Sequence, residues 1–103
     1  MWLKQVRIEV TAKDIREGKR GQCKYCPVAL AVKRRFPDAA CRVWGPAATD
    51  EYRGYTVEIE GGAEVPDSYW KKYRLDEAAS QAIRHFDGTG EMEPFATVME
   101  RVM

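Results

Sequence analysis

The sequence predicts an α+β domain in which a small mixed four-stranded sheet carries helices packed mainly on one face. Apolar and polar residues alternate with the period of a strand in segments 2–10 and 54–60. Apolar residues recur with the period of a helix in segments 27–36 and 75–86. The 103 residues, 45% hydrophobic and 32% charged, suffice for one core and leave little for a second. We therefore treat 1–103 as a single domain.

The first half of the chain is predicted to form a strand followed by two helices. Thr11 stands at the N-cap position of a short helix over 12–17, which follows the strand over 2–10. Pro27 suits the first position of a helix because its missing N–H would be unpaired there. It therefore predicts a second helix over 27–36.

The second half is predicted to contain a hairpin, a helix and a closing strand. Residues 41–44 and 54–60 alternate in polarity and are expected to pair, with a long connection between them. Segment 66–73 is predicted to form a single helical turn. A helix over 75–86 and a strand over 93–103 complete the order β-α-α-β-β-α-β. Helical crossovers then bring the first and last strands beside the hairpin, which predicts the mixed sheet.

The charge is unevenly distributed along the chain although the formal net charge is only +1. Residues 1–49 carry eleven Lys and Arg against four Asp and Glu, whereas residues 50–103 carry six against twelve. Clustered cations raise the local potential whatever the total charge, so the first half predicts an anionic partner. The alternative is that folding brings the basic and acidic halves together and cancels much of this field.

Two segments combine cations with aromatic side chains. The first is the basic loop, residues 19–25, and the second is residues 68–74. Binders of single-stranded nucleic acid use this composition to stack bases and contact phosphates, and protein–protein hot spots are equally rich in Trp, Tyr and Arg. The alternative is a purely structural role, in which the aromatic rings only pack a short helix onto the sheet. The predicted partner-binding residues are Arg16, Lys19, Arg20, Lys24, Tyr25, Arg34, Arg35, Trp70, Lys71 and Lys72, and the strand parity adds Trp44 as a second exposed aromatic candidate.

The cysteines support an alternative hypothesis of a thiol-dependent or zinc-dependent protein. Cys23 and Cys26 form a C-x-x-C pair at a helix start, where the helix dipole favours a thiolate. Together with Cys41 and His85 they are the whole inventory of sulfur and imidazole ligands for zinc. Cys41 also fits a buried core thiol, and three cysteines do not suggest a disulfide framework. The leading interpretation therefore needs no cofactor.

Motifs of the common enzyme classes are missing from the sequence. The chain has one histidine, no nucleophile elbow and neither of the glycine-rich phosphate loops, so an enzyme is not expected. No apolar run approaches the roughly 20 residues that cross a bilayer, and the N-terminus does not have the pattern of a signal peptide. The expected compartment is the cytoplasm, with no membrane partner.

Several short motifs resemble those of small uncharacterised proteins encoded by bacteriophages and high-GC bacteria. The motifs are Asp14-Ile15 with Gly18, the run from Cys26 to Ala31 that reads C-P-V-A-L-A, and Pro94-Phe95 before the closing strand. The resemblance implies an accessory protein acting in the host cytoplasm. The sequence as a whole predicts a non-enzymatic binding protein whose macromolecular partner is either a protein or a nucleic acid.

Overall fold

Five strands pair in one antiparallel sheet that curls into a half-barrel. The computed structural model describes residues 4–46, 54–61 and 70–102. In chain order the elements are β1 (Gln5–Val10), α1 (Ala12–Glu17), α2 (Pro27–Arg35), β2 (Ala40–Trp44), β3 (Thr56–Glu60), β4 (Lys71–Arg74), α3 (Glu77–Thr89) and β5 (Phe95–Arg101). The strand order is β1-β5-β4-β3-β2, so β1 and β2 form the two edges.

The predicted four-stranded mixed sheet is wrong in both strand number and strand direction. The additional strand is β4, which pairs antiparallel with β3 and β5 and lies where a helical turn was expected. Residues 66–69 of that expected turn lie outside the described residues. The two inward positions of β4 hold Lys71 and Tyr73, which are 7% and 0% exposed. A cation thus occupies a core position, and this interrupts the apolar alternation by which a strand is recognised.

The starts of α1 and α2 follow from local chemistry and confirm the predictions there. Thr11 Oγ1 accepts a hydrogen bond from Asp14 N–H at 3.2 Å, and Asp14 Oδ2 accepts one from Thr11 N–H at 2.9 Å. This reciprocal capping box begins α1. Pro27 takes the first position of α2, as expected. The third helix begins two residues later than predicted, because Asp76 forms its N-cap by accepting from Ala79 N–H at 2.8 Å.

Helix α2 packs against the sheet and contacts both edge strands, β1 and β2. Its residues Val28, Ala29 and Val32 are completely buried. Cys41 on β2 donates its Sγ–H to Ala29 O at 3.3 Å. The inward residues of the strands join those of the helices in one continuous core.

The opposite, outer face of the sheet presents polar and aromatic side chains. Residues directly opposite one another in a ladder share a face, so the strand register defines the rows. One row is Arg42–Glu58–Lys72 and the next is Trp44–Thr56–Arg74. Trp44 is 44% exposed, which confirms the parity-based expectation for this residue.

Candidate functional site

The basic loop is closed on itself by backbone hydrogen bonds. The N–H groups of Tyr25 and Cys26 both donate to Gln22 O, at 3.0 and 2.9 Å. Lys19 N–H donates to Tyr25 O at 2.8 Å. The loop therefore holds a defined conformation on the surface of the protein.

The end of α3 anchors one side of the basic loop. Arg20 donates from Nε and Nη2 to Asp87 O at 3.2 and 3.0 Å, and from Nη2 to Gly88 O at 2.9 Å. Gly21 N–H donates to Asp87 Oδ1 at 3.1 Å. Arg20 thus satisfies carbonyls at a helix C-terminus, where a cation is favourable. Arg20 was predicted to bind a partner, and in the structure its exposed guanidinium makes intramolecular hydrogen bonds.

Replacing Arg20 with alanine is expected to lower the free energy of unfolding by about 1 kcal/mol, because charge-assisted hydrogen bonds at an exposed site are lost. Urea unfolding measures this change, and hydrogen exchange should show faster exchange in the basic loop. Lys24→Ala, in the same loop, is the control and should leave both readouts unchanged. Equal behaviour of the two variants would contradict the anchoring role of Arg20.

The edge strand β2 anchors the other side of the basic loop. Val43 N–H donates to Cys23 O at 2.8 Å, which also covers part of the open edge of the sheet. A pocket of about 280 Å³ lies at this junction, lined by residues of the loop, of β2 and of α3, including Gln22, Trp44 and Asp87. The basic loop therefore lies next to Trp44, at the β2 edge of the outer face.

The basic loop presents one aromatic ring to solvent, with cations beside it. Tyr25 is 55% exposed, and Lys19 Nζ lies 5.9 Å from the centroid of its ring. Lys24 precedes Tyr25 in the chain, Arg16 lies in the last turn of α1, and both are exposed. A phenol ring with neighbouring cations is thus presented to solvent by an anchored loop.

Arg34 and Arg35, the two arginines of α2 that were predicted to bind a partner, contact residues outside the basic loop. Arg34 donates from Nη1 to Asp14 Oδ1 at 2.5 Å and from Nη2 to Glu9 O at 2.6 Å. Its principal contacts therefore connect α2 to α1 and β1. Arg35 is exposed, and its guanidinium carbon lies 4.7 Å from the centroid of the Phe36 ring.

Residues 70–74, the described part of the second aromatic and basic segment, are divided between the two faces of the sheet. Lys71 points inward and is buried, so its side chain is not presented on the outer face. Lys72 lies on the outer face opposite Glu58. Trp70 is half-buried immediately before β4.

A stack of three side chains, here called the tryptophan platform, consists of Arg42, Trp44 and Trp70. The guanidinium carbon of Arg42 lies 4.0 Å from the Trp70 ring centroid and 5.4 Å from that of Trp44. Glu58 Oε1 accepts from Arg42 Nε at 3.0 Å and also from Trp44 Nε1. Arg42 was not among the predicted residues, because strand parity places it on the face of Trp44 but does not show that it also lies against Trp70.

Cys26 and Cys41 form core contacts, whereas Cys23 is partly exposed. Cys26 Sγ caps α2 by accepting from Ala29 N–H at 3.4 Å. Burial raises the pKa of Cys26 to about 11, despite backbone hydrogen bonds that lower it, and burial also raises the pKa of Cys41. A thiolate at Cys26 is therefore disfavoured at neutral pH, which is opposite to what dithiol chemistry requires.

The four predicted zinc ligands, Cys23, Cys26, Cys41 and His85, are not brought together. Within residues 4–46, 54–61 and 70–102, no group of three or more His, Cys, Asp or Glu side chains is arranged to hold a metal ion. His85 is exposed on α3. The same ranges contain no helix long and apolar enough to span a membrane.

Comparison with known proteins leaves the resemblance to bacteriophage proteins as a prediction. No protein family, no curated protein and no solved structure matches this chain.

Proposed function

We propose that the protein is a non-enzymatic accessory binding protein, of the kind encoded by bacteriophages and mobile elements, that engages an anionic macromolecule through the basic loop. The observation that carries this proposal is Tyr25, which is 55% exposed beside Lys19 on a loop anchored at both sides. An exposed ring contributes little to the core. It is available to a partner.

The anchoring of the loop supports binding because it lowers the entropy lost on association. Arg20 and Gly21 attach it to α3, and Cys23 attaches it to β2. A loop already held in one conformation loses less freedom when a partner binds. The internal role of Arg20 thus helps the other loop residues to bind.

The charges that are open to solvent also support an anionic partner. Arg16 and Lys24 are exposed and form no ion pair with the described residues. Cations without internal partners contribute fully to the surface potential. Arg16, Lys19, Lys24 and Tyr25 therefore form the proposed site, without Arg20 and Arg34, whose principal contacts are internal.

The proposal is tested by measuring the affinity of two fluorescent polyanions, oligothymidylate and polyglutamate of matched charge, at several salt concentrations. The variant Lys19→Ser/Lys24→Ser is expected to bind about tenfold more weakly at low salt, because it makes two fewer anion contacts. The control is Lys4→Ser/Arg7→Ser, which removes the same charge at the β1 edge of the sheet. Absence of binding to both polyanions, or equal losses in the two variants, would overturn the proposal.

A further inference from the structure

We infer that the partner is a single-stranded nucleic acid whose bases stack on the tryptophan platform while its phosphates contact the cations of the basic loop. This inference rests on the proposed function and specifies its partner. It extends the binding surface from the loop to the outer face of the sheet, and it gives a role to Arg42 and Trp44 beside Trp70.

The tryptophan platform is ordered before any ligand binds. Arg42 lies against both indoles, and Glu58 holds the Arg42 guanidinium and the Trp44 indole N–H through the same oxygen. Strands β2 and β3 fix the backbone beneath these side chains by regular antiparallel pairing. Flat groups held in this way can receive another flat group without rearranging.

Nucleobases are the flat groups that fit this surface best. Stacking of bases on exposed aromatic rings is tolerant of sequence, because every base has a π face. Antiparallel sheets that present aromatic residues on an open face recognise single strands in this manner. Trp44, 44% exposed at the edge strand, offers the more accessible ring of the two.

The cations lie where the backbone of such a strand would pass. Lys72 lies opposite Glu58 on the outer face. The basic loop lies along the free edge of β2, where Val43 N–H donates to Cys23 O. The pocket between the basic loop and β2 is lined by both Gln22 of the loop and Trp44 of the platform. A strand stacked on Trp44 would therefore bring its phosphates near Lys19, Lys24 and Lys72.

The arrangement of charge and exposure favours a nucleic acid over an acidic protein. Each exposed ring has a cation against it: Lys19 on Tyr25 and Arg42 on Trp44. Protein hot spots concentrate their aromatic anchors in a desolvated centre, whereas these rings are distributed over an open face and a neighbouring loop. Duplex DNA keeps its bases stacked within the helix, so its bases are not free to stack on a sheet face.

The experiment compares oligothymidylate, a duplex of the same length and polyglutamate of matched charge, using fluorescence anisotropy. The wild-type chain is expected to bind oligothymidylate at least tenfold more tightly than the other two probes. Trp44→Ala is expected to weaken oligothymidylate binding about tenfold while the dependence on salt stays the same. Lys19→Ser/Lys24→Ser should instead reduce the slope of log affinity against log salt by about 1.4.

Two further measurements keep the test independent of folding. Circular dichroism and urea unfolding establish that each variant is folded. The variant Trp44→Phe/Trp70→Phe retains flat rings and should bind oligothymidylate within about threefold of wild type. Binding should quench its tryptophan fluorescence less than that of wild type, because the two platform indoles are absent.

The outcomes separate this inference from the proposed function. If polyglutamate binds as tightly as oligothymidylate, or if folded Trp44→Ala binds normally, the inference is wrong. The proposed function still stands in that case, provided that Lys19→Ser/Lys24→Ser weakens polyanion binding. If no polyanion binds, both fail together.

Discussion

Replacing Arg34 with alanine is expected to lower the free energy of unfolding by about 2 kcal/mol at neutral pH. The Asp14 side chain is only 6% exposed, and the substitution would leave its carboxylate buried without its cationic partner. Removing one member of a fully buried ion pair costs about 3–5 kcal/mol. The Arg34 side chain is 50% exposed, which reduces the expected loss. Urea unfolding of the wild type and the variant measures it.

The same ion pair gives a definite pH dependence. Burial raises the pKa of Asp14, but the hydrogen bonds from Arg34 and Thr11 outweigh it, so the pKa of the folded protein is lowered. A carboxyl group with a lowered pKa stabilises the fold fully above its unfolded pKa of about 3.9. This contribution is lost as the pH falls through the folded pKa. The difference between wild type and Arg34→Ala should therefore shrink as the pH is lowered from neutral to about 3.

The control for this prediction is Lys33→Ala, on the same helix. Lys33 is exposed in the last turn of α2, and its truncation should change the free energy of unfolding by less than about 0.5 kcal/mol. A loss in Lys33→Ala as large as that in Arg34→Ala would show that removal of a cation from the last turn of α2, and not the ion pair with Asp14, sets the effect.

Local chemistry explains why most elements could be predicted from the sequence. The Thr11 N-cap and the Pro27 helix start depend on residues within one turn, and both are found as expected. Strands β1 and β3 show their alternation directly. Strand β4 could not be recognised, because it is four residues long and Lys71 occupies an inward position. Because β4 was missed, both the number of strands and their relative directions in the sheet were predicted wrongly.

The candidate site was only partly predictable from the sequence. Whether a cation makes internal contacts or is open to a partner depends on residues that are distant in sequence. Arg20 contacts Asp87, 67 residues away, and Arg34 contacts Asp14, 20 residues away. Composition marks all these arginines as basic surface and cannot separate them from Lys24. Parity alone identified Trp44, because strand alternation is a local property. The stacking of Arg42 on Trp70 required the fold, since neither residue is near the other in sequence.

Gly18 illustrates how packing sets a requirement that backbone conformation does not. Its φ of −69° is accessible to any residue, and the sequence indicates only that it follows a helix. A Cβ atom at this position would lie 2.6 Å from both Cδ and Cγ of Pro27 and 2.8 Å from Asp14 O. Glycine is therefore required because α1 ends directly against the first residue of α2.

Gly18→Ala is expected to lower the free energy of unfolding by about 2 kcal/mol, since the Pro27 ring and the Asp14 carbonyl must both shift to admit a methyl group. Gly88→Ala is the matched control: it lies within α3 and a Cβ there would meet nothing within 4 Å. Alanine at a helical position reduces the conformational entropy of the unfolded chain, so this variant should gain about 0.5–1 kcal/mol. Urea unfolding of both variants tests the opposite signs. Stabilisation of both would show that α1 and α2 can separate at Gly18 without loss, and that their close approach contributes little to the fold.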